Sequence, residues 1–227
     1  MILEFAAVIA VSYLVGSIPS GYIAGRVLRG IDVRDFGSGA TGATNVMRTL
    51  GRGPFVVILL ADALKGYVPV LVAWFLFESH DLQVASGLAA VVGHDFPLYI
   101  GFRGGRGVAT SFGVYAALAL PVSLGLVAVG LFIILAFRYM SLMSILTVPL
   151  GAVVFLILAA AGVKEVAGVE EYTYTKVVFG AFATALVLLR HGGNIRRLAQ
   201  GTEPRLGEDG GRRRRRAAEG RKPLSAL

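Results

Sequence analysis

The chain contains no cysteine, which excludes disulfide staples, thiolate metal sites and cysteine nucleophiles. Its three histidines, His80, His94 and His191, lie too far apart in sequence to read as a metal cluster. Charge is sparse as well: 16% of the residues are Asp, Glu, Lys or Arg, against about 25% in an average soluble domain. A basic leader is missing, since Glu4 is the only charge before Arg26. Met1–Val15 is therefore expected to belong to a first span and not to a cleaved signal peptide. Hydrocarbon is what the chain has in abundance. Of its 227 residues 56% are hydrophobic, and the mean hydropathy is +0.72. Several apolar runs match the roughly 20 residues that a helix needs to cross a bilayer. The expectation is an all-α, polytopic integral membrane protein of one domain.

The spans follow from the interruptions. The first covers about residues 2–27 and is broken by Gly16-Ser17-Ile18-Pro19-Ser20-Gly21. Proline removes a helix hydrogen bond, and freed backbone groups survive in a membrane only where protein or a wet cavity satisfies them. A polar segment from Arg29 to Gly53 leads to a second span, about Pro54–Phe77, whose Asp62 and Lys65 share one face. The third is about Leu82–Ile100. Between Arg106 and Arg138 lie 31 uncharged residues. One helix of that length would measure about 46 Å, against a hydrocarbon core of about 30 Å. Pro121 sits near the middle, so two short helices are expected, Val108–Leu120 and Pro121–Phe137. Spans over Ser141–Gly162 and Thr173–Leu189 complete about seven transmembrane helices.

Charge then sets the orientation. With the N-terminus outside and the C-terminus cytoplasmic, the inner segments are 26–52, 103–106, the turn at Arg138 and everything from Arg190. Lysine and arginine concentrate there, as the positive-inside rule asks. The chain carries a net charge of +8. Residues 1–206 read as the membrane domain and 207–227 as a basic cytoplasmic tail, in which Arg212–Arg216 form a run suited to anionic lipid headgroups. A nucleic-acid partner does not suit a chain this hydrophobic.

On the expected inner face, polar residues gather in three places. The first is Gly37-Ser38-Gly39-Ala40-Thr41-Gly42-Ala43-Thr44-Asn45-Val46-Met47-Arg48. Glycines let backbone N–H groups converge on an anion, and arginine offers a fork that matches phosphate. The second runs from His94 to Arg103-Gly104-Gly105-Arg106, and the third is His191-Gly192-Gly193-Asn194. Taken alone, His94 suits either a phosphate ligand or a hydrogen-bonded structural residue. Asp62 and Lys65 suit a structural ion pair or an interior site. Together the clusters describe a pocket rich in donors and cations for a ligand with more than one phosphate-type anion. A transporter or channel for a phosphate ester would use similar parts, with broken helices and glycines beside the anion.

The ordered set Gly16–Gly21, Gly37–Arg48, Gly93-His94-Asp95-Phe96-Pro97, Arg103–Thr110, Arg138-Tyr139-Met140-Ser141 and Arg190–Ile195 resembles the bacterial membrane glycerol-3-phosphate acyltransferases that use acyl phosphate. The resemblance runs from about residue 13 to 206. It implies a multi-pass enzyme of the bacterial inner membrane with its active site on the cytoplasmic side. It would act in phospholipid synthesis without a cofactor or metal, passing an acyl group from acyl phosphate to the 1-hydroxyl of sn-glycerol 3-phosphate. Its partners would be these substrates and membrane lipid. The catalytic positions implied are Ser38, Arg48, Arg106, His191 and Asn194. The substrate-binding positions are Gly37, Gly39, Gly42, Thr44, Asn45, His94, Arg103, Gly104 and Gly105. The sequence departs from the family pattern at Ala40, where asparagine is usual, at Arg103 and Arg106, which replace lysines, and at Gly192, which replaces arginine. Arginine does not give up its proton, so Arg103 and Arg106 are left the role of clamping phosphate. The His-x4-Asp pattern of other glycerolipid acyltransferases is absent: Tyr99 follows His94 at that distance and Arg196 follows His191.

Overall fold

A computed structural model describes residues 2–166, 169–170 and 172–208. Four stretches are long and apolar enough to cross a bilayer: residues 2–29, which hold α1 (Ile2–Gly16) and α2 (Ser20–Arg29), then α4 (Arg52–Phe77), α7 (Leu120–Phe137) and α8 (Met140–Ala160). A fifth is counted if α9 (Tyr174–Arg190) and α10 (Gly192–Ala199), which meet at a 63° bend, act together. Their outer faces are hydrocarbon, with Phe75 76% and Leu135 81% exposed. A surface of this kind is solvated by lipid. The two remaining helices that the sequence places in the membrane are shorter than expected. α5 (His80–Asp95) has 16 residues and α6 (Val108–Leu118) only 11.

The differences from the sequence reading have local causes. Ser79 caps α5 by accepting from the Leu82 N–H at 3.4 Å, so the helix starts two residues early. It stops at Asp95, where His94-Asp95 lead into Pro97, a residue that biases its predecessor away from helix. The α6–α7 hairpin turns on the single residue Ala119 (φ −164°), which places Pro121 in the first turn of α7, where a missing N–H costs nothing. The segment expected as a plain outer turn contains a minimal antiparallel pair, β1 (Glu165–Val166) with β2 (Val169–Glu170). After His191, where no further helix was expected, the chain makes α10. The arginine run 212–216 lies outside the described residues.

Helix pairs lock through small residues. A Cβ at Gly16 would overlap the Ala90 backbone, and one at Gly93 the Tyr13 carbonyl, so α1 and α5 touch backbone to backbone. Gly66 against Thr110 and Gly113 against Ala63 do the same for α4 and α6. Close approach of this kind is how apolar helices associate where lipid is as greasy as leucine. The core above them is aromatic. Tyr115 contacts Phe155 and Phe179 at ring distances of 5.3 and 5.2 Å, and its hydroxyl donates to the Val148 carbonyl at 2.9 Å. A smaller core of Val33, Ala43, Val46, Leu50 and Ile58 seats α3 (Ala43–Leu50) on α4. That contact holds the glycine loop over one end of the bundle.

The broken first span is satisfied from inside. Between α1 and α2 the Ile18 carbonyl accepts from the Ser20 N–H and from Lys65 Nζ, both at 3.0 Å. Lys65 in turn meets Asp62 at 2.9 Å, both side chains being buried. The lysine gives this carbonyl a second donor and the aspartate gives the lysine a partner, at a depth where freed backbone groups and lone charges are costly.

Candidate functional site

The glycine loop is built around Asn45. From the first turn of α3 its Oδ1 accepts from the Ser38 N–H at 2.9 Å, while Nδ2 donates to the carbonyls of Val33 and Ala40, each at 2.8 Å. The chain passes so close to this amide that a Cβ at Gly37 would overlap Asn45 Oδ1, and Gly37 has φ +55°. Only glycine meets both conditions without strain. Asn45 therefore holds the loop's shape with its polar atoms. The Ser38 hydroxyl, which has no partner among the described residues, is left to the cavity.

The second cluster is a short bridge laid across His94. The Gly105 N–H donates to the His94 carbonyl at 3.0 Å and the Gly104 N–H to the Asp95 carbonyl at 3.3 Å. The Gly104 carbonyl accepts from the Thr41 N–H at 3.4 Å, tying this bridge to the glycine loop. Arg190 donates twice to the Gly105 carbonyl, from Nη2 at 2.7 Å and Nε at 3.2 Å. Gly104 and Gly105 are buried beneath the cavity and do not line it. The next residue, Arg106, does. Arg103, on the other side of the glycines, stands exposed outside.

The third cluster sits where α9 gives way to α10. His191 Nδ1 lies 2.8 Å from the Val187 carbonyl. A carbonyl only accepts, so Nδ1 carries the proton and Nε2 keeps the lone pair. Burial, with the Arg106 charge nearby, pulls the His191 pKa down to about 4, so the ring is neutral at physiological pH. Asn194 Nδ2 donates to Glu203 Oε1 at 2.7 Å, which leaves its Oδ1, an acceptor, for the cavity. Glu203 also accepts from the Ser141 hydroxyl and from Arg197 Nε, each at 2.7 Å. Burial raises the Glu203 pKa, but hydrogen bonds from Asn194, Ser141 and Arg197 outweigh it and hold the carboxyl below its ordinary value.

These parts close round a cavity of about 540 Å³. Ser38, Gly42, Thr44, Asn45, Arg48, His94, Arg106, His191 and Asn194 reach its wall; Gly37 and Gly39 shape the loop behind it. Glu203 and Ser141 also line it, and neither was singled out from the sequence. Ser141 closes the Arg138–Ser141 motif, and the only signal for Glu203 was its position inside the recognised stretch. Arg48 and Arg106 have no acidic partner within salt-bridge distance among the described residues. Burial lowers the pKa of both. Arg106, crowded further by Arg197, Arg48 and Arg190, comes down to about 10. Two half-buried cations, one of which is depressed by the arginines around it, mark a place that an anion would stabilise. No group of His, Asp and Glu among the described residues is arranged to hold a metal.

The cavity has a second, apolar limb. Phe55, Leu59 and Ala63 of α4, Phe112 of α6, Val127, Leu131 and Ile134 of α7 and Met143 of α8 form its walls. Leu131 is 55% exposed, so the limb opens sideways on the lipid-facing surface.

The profile of the family described as glycerol-3-phosphate acyltransferase matches residues 6–201. The glycerol-3-phosphate acyltransferase of Parasynechococcus marenigrum (strain WH8102) is 45% identical over 210 residues, covering 92% of each chain. That of Gloeobacter violaceus is 42% identical over 203 residues, covering 88% of this chain and 93% of its own. Among solved structures, the glycerol 3-phosphate form of PlsY (YgiH), an integral membrane glycerol 3-phosphate acyltransferase, superposes with a TM-score of 0.80 at 38% identity. That match covers 89% of this chain and 96% of PlsY. The lysophosphatidic acid form of PlsY gives 0.77 at 37% identity, covering 89% and 95%.

Proposed function

The chain belongs to the glycerol-3-phosphate acyltransferase family, and we propose that it draws its acyl group from an acyl phosphate, delivers it to the 1-hydroxyl of sn-glycerol 3-phosphate, and releases lysophosphatidic acid and phosphate. It is an acyltransferase of phospholipid synthesis and a multi-pass membrane protein. The observation that carries the finer reading is the two-limbed cavity. Its polar limb holds two arginines without an acidic partner among the described residues, enough for two phosphate groups, and its apolar limb runs to the lipid face. An acyl phosphate laid across the junction puts its chain in the groove and its phosphate among the donors.

The chemistry needs little beyond positioning and charge. The acyl phosphate is a mixed anhydride whose leaving group departs as phosphate. The 1-hydroxyl oxygen attacks the acyl carbonyl carbon, an ester C–O bond forms, and the C–O bond to phosphate breaks. The hydroxyl proton ends on the departing phosphate, so atoms and charge balance. Arg48 and Arg106 neutralise the two phosphates, with Ser38 and the glycine loop adding donors. His191 Nε2 and Asn194 Oδ1 are both acceptors, suited to orienting the glycerol hydroxyls. Preorganised donors of this kind supply many orders of magnitude without any covalent intermediate. Purified protein in bilayers is expected to make lysophosphatidic acid from acyl phosphate and glycerol 3-phosphate without added metal or nucleotide. Equal turnover from acyl-CoA, or none from either donor by folded protein, would sink the assignment.

The same reading places the protein in the bacterial inner membrane with about seven spans, the short α5 and α6 sheltered by their neighbours and the cavity facing the cytoplasm. A single cysteine at the Pro121 turn is expected to label from outside in intact cells, and one at Arg103 only after permeabilisation. Inside labelling at both positions would overturn this topology.

A further inference from the structure

We propose that His94, backed by Asp62 and Lys65, is a positioning residue that fixes where the Arg106 guanidinium stands. Both ring nitrogens are turned toward protein. Nδ1 faces Asp62 Oδ1 at 3.7 Å, and Nε2 lies against Gly105, where a Cβ would overlap the ring. The ring thus fills the space under the residue that precedes Arg106, while the His94 carbonyl accepts the Gly105 N–H at 3.0 Å. Side chain and main chain of one residue hold the same peptide.

His94 is itself held. Asp62 is fixed by Lys65 Nζ at 2.9 Å, and Lys65 is fixed by the Ile18 carbonyl in the break of the first span at 3.0 Å. From that break the strut runs through α4 and the end of α5 to the glycine bridge. Arg190, grasping the Gly105 carbonyl from the other side, keeps the bridge from rocking. Among the described residues no acidic side chain lies within salt-bridge distance of Arg106, so the backbone beneath it is what aims it.

The inference rests on the phosphate-clamping role given to Arg106 above, and its test separates the two. Binding of glycerol 3-phosphate to the full chain in detergent, by calorimetry, and its KM in turnover would be measured for His94→Ala, Arg106→Ala and the double variant. His94→Ala is expected to weaken binding and raise KM about tenfold in the parent background, and by less than about twofold once Arg106 is gone. His94→Gln, which keeps an amide nitrogen where Nε2 stands, should recover most of the loss and guards against a misfolded alanine variant. Losses that multiply in the double variant, or an unchanged KM in His94→Ala, would overturn the proposal. Parent protein that binds glycerol 3-phosphate but makes no product would sink the acyl-transfer reading instead, and the binding cycle would still decide this one.

Discussion

Arg48→Ala is expected to lower kcat/KM by about 10²–10³-fold, the loss seen when a preorganised donor to developing charge is removed. Arg48 projects from the last turn of α3 across the glycine loop and lines the cavity, with no acidic partner in salt-bridge reach among the described residues. Its opposite charge is therefore expected to come from the substrate, and contacts between ionised groups are the strong ones. Arg106→Ala should cost less. Arg197, Arg48 and Arg190 stand close enough to act on Arg106 and would still present positive charge to the anion. The effect on stability is expected to run the other way. Burial opposes the charge on Arg48, so thermal unfolding of Arg48→Ala should be unchanged or slightly higher than that of the parent. Arg48→Lys should recover part of the activity, since lysine restores charge but not the fork. Parent-like kcat/KM in Arg48→Ala, or an activity loss that tracks a fall in melting temperature, would contradict this account.

Glu203→Ala is expected to be the most destabilising single change at the site. Three donors converge on this buried carboxylate: the Ser141 hydroxyl, the Asn194 amide and the Arg197 guanidinium. Removing the acceptor strands the buried Ser141 and Asn194 donors, at about 1–3 kcal/mol each, while Arg197, 41% exposed, turns to solvent. For a chain of this size each kcal/mol moves the midpoint by about 2–4 °C, so a fall on the order of 10 °C should appear in a melting experiment. Glu203→Gln should fall less, because an amide oxygen still accepts from Ser141 but does not oppose Arg197. The pH dependence has a definite sign. A carboxyl held below its ordinary value of 4.5 contributes in full above that pH, and its contribution fades as the pH drops through the lower folded value. An unshifted melting temperature in Glu203→Ala would show that the three contacts are dispensable.

Glu203 also shows what a sequence hides. It stands in a stretch of alternating charges ahead of an arginine run, where an acid looks solvated; only the return of residues 203–206 onto the α7–α8 turn buries it. Ser38, Arg48, His191 and Asn194 were legible because glycine-rich polar segments are conspicuous in a hydrocarbon chain. What each atom does was not. Asn194 carries both a donor and an acceptor, and Glu203 decides which of them faces the cavity. Asn45 looked like a ligand for phosphate because nothing in the sequence reveals that its amide closes three loop hydrogen bonds. Arg103 and Arg106 flank two glycines symmetrically, yet the turn through Phe102 (φ +61°) leaves one outside and the other at the cavity wall. Among the helices, the long apolar ones were plain from composition. The boundaries of α5 and α6 were set by a serine cap and by a one-residue hinge, features that hydropathy does not register.

The sideways opening beside Leu131 has a consequence for how the reaction is driven. With acyl phosphate as the donor, as proposed above, one product, phosphate, dissolves in water and the other, the lysolipid, in the bilayer. A cavity with a polar limb and an apolar limb offers each product surroundings of its own kind. Separation into two phases keeps the products from meeting again at the arginines, so the reverse reaction is starved by partition. The protein is then a sorting junction between two solvents, and the boundary of the membrane adds to the drive that the mixed anhydride supplies.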